Sequence, residues 1–336
     1  MASSDPIYII GTERSGSNLL RLMLDAHSGI VVPHPPHILH FFAPIEKCYG
    51  DLGDRARLRL LVEDVVALVR AHIYAWDVVL DVDAITDAAR PRDALGVMAA
   101  IYDAARAASG KRRWGNKSTF MVHHMERARA RDPGARFVWL VRDPRDVALS
   151  SRTSVFSTCH PFNTGRLWAM QQAEALTQQK RAPEAIHLLR YEALCDEPEK
   201  SLQALCAFLG EDYEPTMLQY FEGSEAQKSA ALSESWKNTA RPVQRSNHGR
   251  WQKELTANEV RMVEASAAPI MRRLGYETAT AEADLRSFHA PLGWIGVMEA
   301  VYRARVELRS LRTDVNHWQR WQRDATVRQI RRKRCA

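Results

Sequence analysis

The stretch 7–24 constrains the fold of this chain more than any other part of the sequence. An apolar run at 7–10 leads into a loop that begins at Gly11, and the apolar pattern at 19–24 has the spacing of a helix. Glycine lets a backbone approach an anion closely, and the first turn of a helix presents free N–H groups and the positive end of its dipole. This order predicts a strand, an anion-binding loop and a helix, which is how an α/β fold can begin.

The loop differs from a nucleotide P-loop at two positions that matter for metal chemistry. Gly11 and Gly16 have the P-loop spacing, but Ser17 and Asn18 stand where that loop has lysine and then serine or threonine. The lysine that neutralises a terminal phosphate and the hydroxyl that binds magnesium are therefore both missing. We predict a phosphate site without a metal, in which Arg14 supplies the charge and the contacts come from Gly11, Thr12, Arg14, Ser15, Gly16, Ser17 and Asn18.

A second anion site is predicted at the end of another apolar run, 137–141. Arg142 stands where this strand should end, and the aspartate and proline that follow it can start a helix. Ser150 follows Arg142 by about two helical turns, so both side chains can face one ligand. The other interpretation is that Arg142 forms an ion pair with Asp143 or Asp146.

With these two segments the sequence resembles the sulfotransferase family, whose members use 3'-phosphoadenosine 5'-phosphosulfate (PAPS) as sulfuryl donor. The resemblance runs from about residue 7 to 276 and includes the stretches 113–117, 191–194, 208–210 and 249–251. It implies that the glycine loop holds the 5'-phosphosulfate, that Arg142 and Ser150 bind the 3'-phosphate, and that adenosine 3',5'-bisphosphate (PAP) is released. It also implies donor contacts from Tyr191, Gly249 and Arg250.

Two cations are the predicted electrostatic catalysts. Sulfuryl transfer moves a charged group in line between two oxygens, so positioning and charge stabilisation dominate. Arg14 can stabilise the bridging oxygen of the donor as that oxygen gains negative charge. By resemblance, Lys117 is a catalytic lysine near the sulfonate, and it would replace the lysine missing from the loop. The alternative for Lys117 is a solvated loop lysine.

The general base is expected in the segment 32–37, because histidine is suited to take a hydroxyl proton near neutral pH. The chain shares the sequence at 25–27 with tyrosylprotein sulfotransferases, but the position of their glutamate base falls on Pro35 here. His34 and His37 flank that proline, and a Pro-Pro-His pattern in bacterial relatives favours His37. The other interpretation is that either histidine only binds a loop carbonyl group.

Three more residues near these segments could take part in catalysis. If neither histidine of the segment 32–37 is the base, His123 or His124 after Lys117 is the next candidate. Glu13 stands where the family commonly has proline, and we interpret it as a variant of the turn rather than as a catalytic acid.

The charge of the chain leaves two classes of partner open. Net charge is +7 and the pI is about 9.3, which suits either nucleic acid or a polyanionic small molecule. A non-catalytic nucleic-acid-binding protein is disfavoured because no RNP, KH or zinc-finger pattern occurs. A P-loop kinase or NTPase is disfavoured because the loop lacks the lysine and hydroxyl described above.

The cysteines and the N-terminus predict a cytoplasmic protein. The five cysteines are odd in number and show no CxxC spacing, so neither a disulfide nor a metal site is expected and a reducing compartment fits. No signal peptide precedes the first strand, and no apolar stretch reaches the ~18 residues of a membrane span. A composition rich in alanine and arginine suggests a bacterial source.

Alternating strands and helical patterns predict an α/β, P-loop-like three-layer fold, with a central parallel sheet flanked by helices. Ligand sites in such sheets lie at the carboxyl ends of the strands, where Gly11, Lys117 and Arg142 all fall.

Two domains are expected, a sulfotransferase domain at 1–276 and a C-terminal helical extension with a basic tail at 277–336. Within the extension, 292–330 has the pattern of one long helix, which would pack on the domain or form a homodimer. The polar segment 223–250 is predicted to be a loop that closes over the nucleotide. The acceptor is expected to be a small or lipid-like molecule with a hydroxyl group.

Overall fold

A computed structural model describes residues 4–74, 76–232, 234–245 and 247–335. Within these ranges five parallel strands form one sheet in the order β2-β3-β1-β4-β5. The strands are β1 Ile7–Gly11, β2 Ile30–Val31, β3 Arg113–Lys117, β4 Arg136–Val141 and β5 Ile186–Arg190. The prediction of an α/β fold with a central parallel sheet is confirmed.

Helices cover both faces of the sheet. The α-helices in chain order are α1 Ser17–Asp25, α2 Ile38–Phe42, α3 Arg55–Arg70, α4 Val82–Ala88, α5 Ala94–Ser109, α6 Met125–Arg131, α7 Pro144–Ser151, α8 Pro161–Arg181, α9 Tyr191–Asp196, α10 Pro198–Leu209, α11 Ser224–Leu232, α12 Trp251–Glu254, α13 Ala257–Arg273, α14 Glu282–Arg286, α15 Leu292–Thr313 and α16 His317–Arg334. Short 3₁₀ helices lie at Ala43–Tyr49, Thr119–His124, Pro183–Ala185, Pro215–Glu222 and Glu234–Ala240.

The continuous apolar run of β4 is explained by two separate cores. Phe137 and Trp139 face one core, with side chains from α3, α5 and α8. Val138 and Leu140 face the other core, with side chains from α1 and α10. Because successive residues of a strand point to opposite faces, a strand buried on both faces must be apolar throughout. The sheet is thus the middle of three layers.

The prediction of one long helix at 292–330 is wrong. The structure has two helices there, α15 and α16, joined by a turn at 314–316. The Asp314 carboxylate accepts a hydrogen bond from the Asn316 backbone N–H at 2.9 Å and forms an ion pair with Arg320 at 2.7 Å, which holds the reversal. This reversal lets α16 fold back so that Val327 and Ile330 join the core beside α3.

The segment 223–250 is more ordered than the loop predicted for it. It contains α11 and the 3₁₀ helix Glu234–Ala240. The Thr239 hydroxyl donates to the carbonyl of Ala226 at 3.3 Å, and the Tyr220 hydroxyl donates to the carbonyl of Arg241 at 2.7 Å. These side-chain to backbone bonds, with the burial of Ala226 and the stacking of Trp236 on Phe156, hold a segment whose sequence has little apolar periodicity.

The expectation that the chain has no disulfide is wrong. Cys48 and Cys335 are joined by a disulfide across a separation of 287 residues, whereas Cys159, Cys195 and Cys206 are free and buried. The return of α16 along the domain brings the two bonded cysteines together. The argument from cysteine spacing to a reducing compartment therefore no longer holds. Among the described helices, no segment combines the length and the apolarity needed to cross a bilayer.

Candidate active site

The carboxyl ends of β1, β3 and β4 meet at one end of a cavity of about 970 Å³. The predicted site residues that line it are Arg14, Gly16, Ser17, Asn18, His34, His37, Lys117, Arg142, Ser150, Tyr191 and Arg250. Gly11, Thr12, Ser15 and Gly249 are not among the lining residues. Arg14 and Arg142, which are 128 residues apart in the sequence, are thus brought to one edge of the sheet, as parallel strands require.

The glycine loop depends on glycine at two positions. Gly11 has φ +144, and a Cβ there would overlap the carbonyl oxygen of Leu140 on the adjacent strand. Gly16 has φ +88, caps α1, and its Cβ would overlap the ring of Tyr191. Both positions combine a backbone conformation that favours glycine with a close neighbour. The loop can therefore keep its shape only with these two glycines.

We expect Gly16→Ala to lower the free energy of unfolding by about 1–3 kcal/mol more than Gly110→Ala does, because only the first substitution adds an overlap to the backbone strain. Gly110 is the matched control, with φ +68 and no atom within 4 Å of the place that a Cβ would take. Chemical denaturation of both variants measures the difference. Equal losses would show that the ring of Tyr191 does not constrain the loop.

Arg142 joins the glycine loop to the segment that follows α11. Its guanidinium donates to the carbonyl of Arg14 at 3.1 Å and to the carbonyl of Asn247 at 2.8 Å, and it lies 4.4 Å from the centre of the Tyr191 ring. Its Nε is buried and has no hydrogen-bond partner in the part of the chain that the structure describes. Arg14 in turn donates from Nε to the Ser150 hydroxyl at 3.1 Å. The two arginines and Ser150 therefore form one cationic cluster.

The alternative that Arg142 pairs with a neighbouring aspartate is wrong. Asp143 forms an ion pair with Arg145 at 2.7 Å, and Asp146 accepts from the backbone N–H groups of Gly249 at 2.6 Å and Trp251 at 3.0 Å. Among the described residues no carboxylate forms an ion pair with Arg142. Its positive charge is thus available for an anionic ligand.

The segment at 247–251 meets this cluster through a residue that sequence reasoning missed. Asn247 donates from its amide to the Tyr191 hydroxyl at 2.8 Å, in addition to accepting from Arg142. Arg250 lines the cavity but is already paired with Glu254 at 2.8 Å. Trp251 lies under the guanidinium of Arg145, at 3.7 Å, and not in the cavity lining. No pattern in the sequence distinguishes Asn247 from its polar neighbours.

Lys117 is the last residue of β3 and pairs in register with Ile9. It is buried, so the alternative of a solvated loop lysine is wrong. Its ammonium group makes no hydrogen bond to any residue that the structure describes. Burial, together with the positive charges of Arg21 and Arg14, lowers the pKa of Lys117 to about 8, although Glu13 acts in the other direction. An ammonium group without a hydrogen-bond partner is thus held at the end of the strand.

The two candidate bases have different surroundings. His37 begins α2 with φ +55, and its Nδ1 lies 3.1 Å from the hydroxyl of Ser118, the residue after Lys117. His34 is 3% exposed and stacks on Tyr74, and neither of its ring nitrogens is hydrogen-bonded to a described residue. Burial lowers the pKa of His34 and of His37 well below the usual range, and nearby cationic groups act in the same direction. Both rings are therefore neutral, and able to accept a proton, near neutral pH.

Glu13 is a second residue whose place sequence reasoning missed. Its side chain lines the cavity, where burial raises its pKa while a hydrogen bond to Ser157 and the charges of Lys117 and Arg14 oppose the rise. His123 and His124, the other candidates for the base, do not contribute to the cavity lining. A carboxyl group in the position of the family's proline therefore reaches the same space as Lys117.

Comparison with known proteins gives one consistent result. The sequence pattern of the Sulfotransferase family matches residues 6–215. The chain is 25% identical to protein-tyrosine sulfotransferase 2 of Gallus gallus over 287 residues, which is 81% of this chain and 69% of that relative.

Solved structures share the fold. One is the sulfotransferase domain from the curacin biosynthetic pathway, with a TM-score of 0.53, 22% identity and coverage of 82% of this chain and 99% of that domain. Another is the sulfotransferase domain of the olefin synthase of Synechococcus PCC 7002, with a TM-score of 0.52, 20% identity and coverage of 79% and 95%.

Proposed function

The chain belongs to the sulfotransferase family, and we propose that it takes the sulfuryl group from PAPS and transfers it to a hydroxyl group of a small-molecule acceptor. The choice of donor rests on one observation, that two candidate anion sites meet at the cavity, one at the glycine loop and one at Arg142. Lys117 and Arg142 lie at the carboxyl ends of β3 and β4, the two strands that flank β1, and neither is paired with a carboxylate in the described part of the chain. A donor with an anionic group at each end suits this arrangement.

The residues present fit such a donor. The buried Nε of Arg142 and the amide nitrogen of Asn18 belong to residues that line the cavity, and neither has a hydrogen-bond partner among the described residues. Buried polar groups are nearly always hydrogen-bonded, so unpaired groups at a cavity are suited to bind a ligand. Arg14, the loop N–H groups and Asn18 would hold the 5'-phosphosulfate, and Arg142 with Ser150 would hold the 3'-phosphate.

The donor supplies an activated sulfuryl group, whose bond to the 5'-phosphate oxygen breaks as a bond to the acceptor oxygen forms. Lys117 and Arg14 both line the cavity, and their positive charges stabilise the electron pair that remains on the leaving oxygen. The imidazole of His37 takes the proton of the acceptor hydroxyl, and the Ser118 hydroxyl orients that ring.

Donor binding tests the proposal directly. We expect Arg142→Ala to weaken PAP binding by about ten- to a hundredfold, since a hydrogen bond to a charged group contributes about 1.5–3 kcal/mol. Ser150→Ala should cause a smaller loss, and Arg166→Ala, which removes an exposed arginine of α8, should cause none. Isothermal titration calorimetry measures all three.

The loss of affinity that Arg142→Ala causes should depend on the 3'-phosphate of the nucleotide. Adenosine 5'-phosphosulfate, which lacks that phosphate, should bind the wild type and Arg142→Ala almost equally. If Arg142→Ala weakens both nucleotides by the same factor, the assignment of the 3'-phosphate to Arg142 is wrong.

Turnover should persist in a chelator. The loop has Ser17 and Asn18 in place of the usual lysine and magnesium-binding hydroxyl, and Lys117 supplies the charge that a metal ion would supply. We expect equal rates of PAP release with and without EDTA. A strict requirement for magnesium would favour the kinase alternative.

A further inference from the structure

The helical hairpin formed by α15 and α16 contributes a row of arginines to the cavity. Arg309, Arg323, Arg328 and Arg331 all line it, and all lie beyond residue 215, where the match to the family pattern ends. This row, which we call the arginine wall, is separate from the cationic cluster of Arg14 and Arg142. It consists of residues that the proposed donor site does not use.

Most of the arginine wall has no counter-charge among the described residues. Of the two carboxylates that the hairpin adds to the lining, Asp314 is paired with Arg320 and Asp324 with Arg323. The guanidinium groups of Arg309, Arg328 and Arg331 form no ion pair or hydrogen bond with any described residue. Cations that face a cavity without partners attract an anion from solution.

Helix α16, which carries Arg323, Arg328 and Arg331, is attached to the rest of the chain at several points. Val327 and Ile330 of α16 are buried in the core, and Arg334, near the end of that helix, pairs with Asp64 of α3 at 2.7 Å. The disulfide between Cys48 and Cys335 joins the end of α16 to the segment after α2. A solvated tail would have none of these attachments, so the backbone of α16 is held beside the cavity, where the exposed side chains of Arg328 and Arg331 belong to the lining.

Aromatic side chains connect the wall to the reaction centre. His37 lies beside Ser118, and one helical turn later His40 stacks on Phe120 with a centroid distance of 3.8 Å. Phe41 follows on α2, with the guanidinium of Arg323 at 5.7 Å from its ring centre. The cavity thus passes from a catalytic end, along an apolar surface, to a cationic end.

One buried side chain beside this path has no hydrogen-bond partner among the described residues. It is His34, which belongs to the cavity lining and whose ring also contacts His72 and Trp236. The donor has its own contacts at the glycine loop, so His34 and the arginine wall are left for the second substrate.

We propose that the acceptor is an amphipathic organic anion, a hydroxylated carboxylate or phosphate monoester. Its hydroxyl lies at Lys117 and His37, its apolar body along Phe41 and Phe120, and its anionic group at Arg328 and Arg331. The proposal rests on the proposed sulfuryl transfer from PAPS and names the class of its acceptor.

Matched acceptors test the proposal. The probes are ω-hydroxy fatty acids of graded length and the diols of the same lengths, which differ only in the carboxylate. In the wild type we expect kcat/KM to favour the acid over the diol by about ten- to a hundredfold at the best length. The preference should fall to near unity in a variant with both Arg328→Gln and Arg331→Gln.

The control removes the same amount of positive charge from the hairpin of α15 and α16. Arg312 and Arg332 are exposed and do not line the cavity, so the variant with Arg312→Gln and Arg332→Gln should keep the preference for the acid. Equal use of acids and diols by the wild type overturns the proposal, and so does a preference that survives the loss of Arg328 and Arg331.

Binding decides the result if none of these probes is turned over. The acids should then bind to the PAP complex more tightly than the diols, and the loss of Arg328 and Arg331 should remove the difference. If the acids and the diols bind equally well, the proposed acceptor class is overturned, but the proposed donor is not. A wild-type chain that binds neither PAPS nor PAP instead refutes the proposed donor, whatever the acceptor results are.

Discussion

Lys117→Ala is expected to lower turnover by about a hundred- to a thousandfold, because it removes a preorganised charge from the site where the leaving oxygen becomes negative. Lys117 is buried at the end of β3, and its ammonium group is not engaged by any described hydrogen-bond acceptor. PAP affinity should change far less than the rate, since Arg14 and Arg142 still hold the nucleotide. Single-turnover kinetics and calorimetry together separate the two effects.

Lys253→Ala is the control, since Lys253 is exposed on α12 and does not line the cavity. The pH profile adds an independent readout. The pKa of Lys117 is lowered to about 8, so its ammonium form is lost as pH rises through that value. We expect kcat/KM, which reports the free enzyme, to fall above pH 8. Lys117→Arg should move this fall in kcat/KM to higher pH. An unchanged pH profile would contradict the assignment of the fall to Lys117.

His37→Ala is expected to lower turnover by about a hundred- to ten-thousandfold while PAP binding is retained, since loss of a general base affects the reaction and not the donor contacts. His37 is hydrogen-bonded to Ser118, the neighbour of Lys117, whereas the His34 ring is stacked on Tyr74. His34→Ala should therefore cause a smaller loss. Steady-state kinetics with an accepted substrate and PAP calorimetry on both variants make the comparison.

The acid side of the pH profile tests the same residue. Because burial and Lys117 lower the pKa of His37 well below 6.5, the imidazole stays neutral as pH falls through that value. We expect kcat/KM to stay constant as pH falls through 6.5. A fall in kcat/KM centred at pH 6.5 would contradict a neutral His37 in that range. If both histidine variants keep near-normal turnover, the base lies elsewhere, and the Glu13 carboxyl in the cavity is the next candidate.

Much of the donor site could be predicted because each half of it is local in sequence. An apolar run followed by Gly11 and a helical pattern determines a strand, a tight loop and a helix, whatever lies elsewhere in the chain. The same holds for Arg142 at the end of β4. The rule that parallel strands place their carboxyl ends at one edge then brings Arg14, Lys117 and Arg142 together without any knowledge of the loops.

The contributions of Glu13 and Asn247 could not be predicted in this way. Glu13 stands in a turn where its sequence indicates only a variant backbone, and the direction of its side chain depends on Ser157 and Lys117. Asn247 acts through Arg142 and Tyr191, on two other elements. A polar residue in a polar segment has no local signal, since its role is decided by what packs against it.

The sequence by itself determined the parallel sheet, the anion-binding loop and the cations at the strand ends, because backbone preference and apolar periodicity act over a few residues. Only the tertiary structure decided which residues of α15 and α16 line the cavity. The reversal at Asp314 returns α16 to α3, joins Cys335 to Cys48 across 287 residues, and turns a basic tail into the lining beside His40 and Phe41. Contacts of that separation depend on the whole packed chain, and no short pattern encodes them.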